Sequence, residues 1–385
     1  MLFLRKRVEL EFLETCAAVS HGSLRVITPN GAVHDFGAGD PAAELQINDW
    51  AMVTACALRG DVGFGESYVA GLWDSPSLEL LGQVALLNMN ALSQYTFGSW
   101  FHRLKFRLTD TVLRANSRRG SARNIHAHYD VGNEFYQLWL DPGMTYSSAL
   151  FDAADADLGR AQDRKYDRIL SRLGQGERTL EIGCGWGGFA ERAADQGRQV
   201  TALTISTNQR AYADARLDGR AKIALCDYRD ATGRYDSIVS IEMIEAVGAK
   251  YWPTYFAALK ARLADDGRAV LQAITVPDRY FETYRSSSDF IRQHVFPGGM
   301  LLSDAQIAAQ AAQAGLQVQD SFGFGTHYAQ TCRLWGQRMA EQQAKITRLG
   351  YGGAFLRSWQ YYLGMCAAAF EVGQTDVVQV ELRHA

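Results

Sequence analysis

No Cys-x-x-Cys pair and no regular cysteine spacing occur in this 385-residue chain. Its six cysteines (Cys16, Cys56, Cys184, Cys226, Cys332 and Cys366) are scattered. Neither a disulfide framework nor a zinc site is expected, and reduced thiols point to a cytoplasmic protein. His126 and His128 stand two apart, a spacing that does not share a helical face, so no metal pair is expected. Arg5, Lys6 and Arg7 are not followed by an apolar run long enough for a signal segment, and no stretch approaches membrane-spanning length. Any membrane contact is therefore expected to be peripheral. Charge of one sign is lacking too. With 39 Lys+Arg against 42 Asp+Glu, a net charge of -3 argues against a globally basic nucleic-acid binder.

The composition present, 47% hydrophobic and 21% charged, is that of a globular protein able to bury a core, and the length exceeds one typical domain. The chain is organised around Thr179-Leu180-Glu181-Ile182-Gly183-Cys184-Gly185-Trp186-Gly187-Gly188-Phe189. A short apolar strand ends there in a glycine-dense turn, and a helical pattern resumes at Phe189. Glycines at Gly183 and Gly185 let a ligand lie against bare main chain, with helix N–H groups facing it. Glu181 can hold a polar or cationic part of that ligand. The next strand, Gln199 to Thr204, carries no Asp or Glu at its tip to grip a nicotinamide-side ribose. It runs instead into Ile205-Ser206-Thr207-Asn208-Gln209, a polar loop opening a helix. That pairing points to S-adenosylmethionine (SAM) methyl transfer more than to a dehydrogenase.

Taken in order, residues 1–95 read as an accessory domain. Strands are expected over 24–28 and 43–47 around the turn Thr28-Pro29-Asn30-Gly31, with helices over 50–59 and 78–92. Residues 96–125 form a basic amphipathic stretch: Phe97, Trp100, Phe101, Leu104, Leu108 and Val112 share a face, flanked by six Arg or Lys. Such a helix suits an anionic lipid surface, or equally a linker whose apolar face packs on a domain. Residues 126–385 read as the catalytic domain. A helix over 158–173 precedes strands expected from 179 and over 199–204, 221–226, 235–241, 269–275, 316–322 and 377–382. The alternation predicts an α/β fold: a class I SAM-dependent methyltransferase with a Rossmann-like seven-stranded sheet, beside a smaller α+β N-terminal domain. Gly183, Thr204, Asp227, Glu242, Glu245 and Gln272 fall at strand C-terminal ends, where such sheets bind ligands.

Dispersed motifs then appear in one order: Gly65-Glu66-Ser67-Tyr68, Tyr129-Asp130-Val131-Gly132-Asn133, Thr145-Tyr146-Ser147-Ser148, the glycine turn, Glu242-Met243-Ile244-Glu245, Phe296-Pro297-Gly298-Gly299, His327-Tyr328 and Trp359-Gln360-Tyr361-Tyr362-Leu363. Together they resemble the cyclopropane-fatty-acid-phospholipid synthase family of SAM-dependent enzymes, akin to mycolic acid cyclopropane synthases, over nearly the whole chain.

The resemblance implies methylenation of a cis double bond in a phospholipid acyl chain, forming a cyclopropane. In that chemistry the alkene attacks the sulfonium methyl, and a bound bicarbonate removes a methyl proton. SAM contacts would fall on Tyr146, Ser147, Glu181, Gly183, Gly185, Thr204, Ser206, Gln209, Asp227 and Tyr228. The family holds bicarbonate with a cysteine, a glutamate, a histidine, an isoleucine main chain and a tyrosine. Glu245, Ile274 and Tyr328 match, whereas Ser148 stands for the cysteine and Gln272 for the histidine. Both still offer hydrogen bonds, but neither can become cationic. Glu242 is expected to play a structural or supporting part. A cation in an apolar pocket favours aromatic faces, and Tyr129, Phe135, Tyr136, Tyr146, Phe290, Phe296, Tyr328 and Trp335 are the candidates. The expected partners are an anionic phospholipid bilayer surface at the inner membrane face, an unsaturated phospholipid substrate and a second copy in a homodimer. Because of Ser148 and Gln272, a C-methyltransferase giving methyl-branched or methylene chains is the competing reading. The same motifs fit less well with a small-molecule N-methyltransferase or with a non-catalytic SAM- or lipid-binding regulator.

Overall fold

The computed structural model describes residues 2–92, 131–152 and 157–385, with side chains from residue 8. The basic amphipathic stretch 96–125, His126, His128, Tyr129 and Asp130 lie outside the described residues. The chain divides into two compact units. The first takes in Met1–Leu113, Glu282–Pro297 and Cys332–Gln374; the second takes in Arg114–Phe281, Gly298–Thr331 and Thr375–Ala385. Two stretches expected within the domain 126–385 thus group with the N-terminal part. The physical reason lies at Gly65, where a Cβ would stand 2.3 Å from the Phe290 ring and 2.9 Å from Tyr361. Nearby, the Asp61 carboxylate accepts hydrogen bonds from the Phe290 N–H (2.8 Å) and the Tyr361 hydroxyl (3.0 Å).

In the first unit, β1 (Gly22–Ile27), β2 (Val33–Ala38), β3 (Ala42–Ile47) and β4 (Trp73–Asp74) form a sheet in the order β2-β1-β3-β4. Alternation in β1 and β3 buries Leu24, Val26, Ala43, Leu45 and Ile47 on one face, as the sequence predicts. The β2 edge strand escapes prediction because none of its residues is buried, so it carries no apolar period. A helix over Asp61–Val69 also forms where no element is expected, because Gly63 and Gly65 lower the helical signal of that segment. Its Phe64 stacks at 4.2 Å on the fully buried Trp73.

The second unit is built on β5 (Arg178–Ile182), β6 (Gln199–Thr204), β7 (Lys222–Leu225), β8 (Tyr235–Ile241), β9 (Leu263–Thr275), β10 (Leu316–Gly323) and β11 (Asp376–His384). They form one seven-stranded sheet, β10-β11-β9-β8-β5-β6-β7. Strands β5 to β9 pair in parallel, whereas β11 runs antiparallel to both β9 and β10. This is the class I methyltransferase arrangement that the alternating pattern predicts. The chain steps from β5 outward through β6 and β7, then returns to add β8 and β9 on the other side of β5. A crevice therefore opens at the C-terminal ends of β5 and β8. Helices Leu158–Arg172, Gly188–Asp195 and Thr207–Leu217 cover one face, and Ile169, Leu170, Phe189, Ala193, Val200, Ala202 and Val239 pack together beneath them. Among the described residues no helix is long and apolar enough to cross a membrane.

Candidate active site

Two glutamates follow β8, and each has a separate task. Glu242 sits at φ 49°, a left-handed conformation that costs a side-chain-bearing residue roughly 1 kcal/mol or more. Its N–H donates to the Gln272 carbonyl at 2.8 Å, which locks the turn to β9. The carboxylate is then aimed inward. Oε1 accepts from the Ser148 N–H (2.8 Å) and from Gln272 Nε2 (2.8 Å), and Oε2 accepts from the Tyr328 hydroxyl (2.6 Å). Burial pushes the Glu242 carboxyl above its ordinary value, while Tyr328, the Ser148 N–H and Lys165 draw it back down.

Glu245 Oε1 accepts from the Ile274 N–H at 2.6 Å, and Oε2 is buried with no hydrogen-bond partner. Burial first, and the Glu242 charge second, push its carboxyl up to about 8. At neutral pH Glu245 is therefore a neutral acid beside a carboxylate, able to donate from Oε2. The Ser148 hydroxyl is turned away, donating to the Ala149 carbonyl at 3.1 Å.

The groups that the family resemblance assigns to a bicarbonate are thus already engaged by the protein. Gln272, Tyr328 and the Ser148 main chain bind Glu242, and the Ile274 main chain binds Glu245. Glu242, expected in a structural or supporting part, stands at the centre of the cluster. Its signal in the sequence was a second carboxylate three residues before Glu245 at a strand end.

Of the predicted SAM residues, Glu181, Gly183, Gly185, Thr204, Ser206, Gln209, Asp227 and Tyr228 lie at or just after the ends of β5, β6 and β7, whereas Tyr146 and Ser147 lie in the segment before helix Leu158–Arg172. Gly183 (φ 85°) and Gly185 (φ 52°) both need the left-handed region, and a Cβ on Gly185 would meet nothing within 4 Å. At Gly185 the bare turn therefore faces open space, whereas a Cβ on Gly183 would stand 2.8 Å from the Met243 side chain. Glu181, on β5, is buried with Oε2 unpartnered, and burial raises its carboxyl to about 8 against the pull of Lys165. An orphaned buried carboxyl beside an open glycine turn fits the ammonium or sulfonium of SAM. After β6, Thr204 Oγ1 donates to Gln209 Oε1 (2.9 Å) and Ser206 caps the following helix at the Gln209 N–H (3.3 Å). After β7, Asp227 is bound by Arg229 Nε (2.8 Å) and Nη2 (2.6 Å), and the Tyr228 ring meets Tyr255 edge-on at 5.4 Å. Glu181→Gln is expected to weaken SAM binding about tenfold, because the amide cannot give up a proton to pair with the ammonium of SAM as the carboxyl can. Calorimetry on the ligand-free protein reads this directly, and unchanged affinity would remove Glu181 from the site.

Of the candidate aromatics, Phe135 and Tyr136 are fully buried and meet Trp139 edge-on and tilted, respectively, with Tyr146 against Tyr136 at 5.6 Å. Asn133 Oδ1 accepts from Trp186 Nε1 at 2.8 Å, so the Gly132-Asn133 motif props the glycine turn. Phe290, Phe296 and Trp335 belong to the first unit.

Sequence reasoning missed Lys165, Arg168 and Gln379. Lys165 is fully buried and its Nζ donates to Ser147 Oγ at 2.7 Å. A usable signal existed: Lys165 lies four residues from both Ala161 and Ile169, on the buried stripe of a helix otherwise rich in charge.

Comparison with known proteins gives concordant matches. The family model described as mycolic acid cyclopropane synthetase matches residues 116–380. Tuberculostearic acid methyltransferase of Mycobacterium tuberculosis (strain ATCC 25618 / H37Rv) is 38% identical over 380 residues, covering 94% of this chain and 87% of that protein. Cyclopropane-fatty-acyl-phospholipid synthase of Escherichia coli (strain K12) is 31% identical over 353 residues, covering 89% and 88%. A solved mycolic acid cyclopropane synthase complexed with SAH and CTAB matches with a TM-score of 0.63 at 30% identity, covering 68% of this chain and 97% of that one.

Proposed function

Because the chain belongs to the mycolic acid cyclopropane synthetase family of SAM-dependent methyltransferases, we propose that it is a C-methyltransferase of unsaturated fatty acyl chains whose product is a methylene-branched chain. One observation carries this reading: the Glu242 carboxylate accepts from Ser148, Gln272 and Tyr328, where a bicarbonate would otherwise be held. The base is then part of the protein.

Glu181, the glycine turn and the Ser147 and Gln209 segments would hold SAM, which when bound would supply the methyl group that the alkene π-bond takes up. A hydride shift moves the resulting positive charge onto the methyl-bearing carbon. Glu242 Oε2, which accepts fewer of these hydrogen bonds than Oε1, takes a proton from the new methyl. The C–H electron pair becomes the C=C bond of the methylene branch, and the carboxylate becomes a carboxylic acid. Neutral Glu245 alongside spares Glu242 a like-charged neighbour, so the carboxylate stays ionised until it takes up this proton. Saturation to a methyl branch would need a separate hydride donor. The competing cyclopropane reading rests on the family and on Glu245, Ile274 and Tyr328.

Lipids extracted from a host making this protein, labelled from methyl-deuterated methionine, decide between the readings. A methylene chain and a cyclopropane each retain all but one of the methyl deuterons and have equal mass, so mild ozonolysis is applied. The methylene chain is expected to yield a mid-chain ketone. Survival of the labelled chain through ozonolysis would return the cyclopropane reading, and label in small amines alone would overturn both.

A further inference from the structure

Two cations sit one turn apart on helix Leu158–Arg172, and each is the start of a hydrogen-bonded arm that ends on the same oxygen of Glu242. Lys165 Nζ donates to Ser147 Oγ at 2.7 Å, while Gln162 Nε2 holds the Ser147 carbonyl at 2.9 Å. Ser147 is thereby fixed at its side chain and its main chain. The next residue, Ser148, presents its N–H to Glu242 Oε1 at 2.8 Å. In the second arm Arg168 Nη1 donates to Gln379 Oε1 (2.7 Å), Gln379 Nε2 donates to Gln272 Oε1 (3.0 Å), and Gln272 Nε2 donates to Glu242 Oε1 (2.8 Å). An amide can face a carboxylate with either end, and here a cation two links away selects the N–H end.

We propose that Lys165 and Arg168 are positioning residues that lock Glu242 Oε1 through these two arms, keep the carboxylate ionised and leave Oε2 as the proton-accepting oxygen. The proposal rests on the reading of Glu242 as the base, and it adds what aims and charges that base.

The surrounding charges agree with this role. Glu242, Asp141 and Glu181 all act on Lys165, and burial draws its ammonium down to about 7 against them. Glu245 and the Tyr328 hydroxyl face Glu242. Arg168 is flanked by Arg172 and Asp320 and lies 4.0 Å over the Phe322 ring. A merely structural role for Arg168 on that ring would leave the Glu242 midpoint unchanged in Arg168→Met, whereas the second arm has it rise there as in Gln379→Met.

The test is the titration of the Glu242 carboxyl in the ligand-free protein, followed by carbon-13 signals of labelled glutamate. The Glu242 signal is identified by its loss in Glu242→Gln. Lys165→Met, which removes a nearby cation, and Gln379→Met, which frees the Gln272 amide to turn, are each expected to raise the midpoint by about one pH unit, a tenfold change in the ionisation constant. Lys165→Arg is expected to keep the wild-type midpoint. Unchanged midpoints in both methionine variants would overturn the proposal, and a shift in only one would overturn the two-armed form. Should Lys165→Met fail to fold, Gln379→Met carries the test alone. Neither SAM nor lipid is present, so the result stands apart from the assignment of Glu242 as base, which fails instead if Glu242→Gln turns over normally.

Discussion

Replacing Glu242 with glutamine is expected to lower turnover about 10²- to 10⁴-fold, the usual contribution of a positioned general base, while SAH binding stays close to wild type. The amide keeps the shape of the side chain and can still accept from Tyr328 or the Ser148 N–H, so the loss would reflect proton removal rather than collapse of the cluster. Single-turnover formation of SAH and product, set beside SAH binding by calorimetry, separates the two. Glu242→Gly sharpens the test. Glycine suits the left-handed backbone at φ 49° and empties a cradle that still presents the Ser148 N–H, Gln272 and Tyr328. Added bicarbonate is then expected to restore part of the lost activity. Full activity in Glu242→Gln would sink the reading of this residue as base.

The second large effect concerns Glu245 and pH. Its folded-state value, raised from 4.5 to about 8 by burial and by Glu242, means the folded protein holds this proton more tightly than the unfolded chain does. The stabilisation is complete below about 4.5 and is lost progressively as pH rises towards 8. Glu181, raised in the same direction, adds to that slope. Glu245→Gln stays neutral at every pH and can still accept from the Ile274 N–H, so it gains on the wild type as the medium becomes alkaline. Between pH 6 and pH 8 its melting temperature relative to wild type is expected to rise by about 4 °C, since each unit of linked titration is worth about 1.4 kcal/mol. A difference that does not vary with pH would mean that Glu245 is ionised across the range. The same variant has lost the acid that faces Glu242, so methyl transfer should fall even where the fold is firmer.

How legible the site was depends on which residues carry a local signal. Gly183 and Gly185 marked the left-handed turn after β5 because only glycine takes those backbone angles without strain. Strands β6 and β8 were placed at Gln199–Thr204 and Tyr235–Ile241 because apolar runs of that length between polar loops have few other solutions. Glu245, Gln272, Ile274 and Tyr328 were assigned through the family resemblance, and the structure brings all four to one cluster. Other features carried no such mark. β2 is an edge strand with nothing buried, and the grouping of Glu282–Pro297 with the N-terminal unit depends on partners more than two hundred residues away.

Hydrophobic period, glycine placement and motif order are properties of neighbouring residues, and for that reason the class I sheet and the family could be read from the sequence. Only tertiary structure sets the surroundings of Glu242. Whether a carboxylate is a solvated surface group or a buried base depends on which donors surround it. Those donors come from Ser148, Gln272 and Tyr328, far apart along the chain. The same holds for Lys165, whose neighbours in sequence are charged and whose neighbours in space are Ser147 and three carboxylates. Desolvation and charge are set by packing, which adjacent residues do not encode.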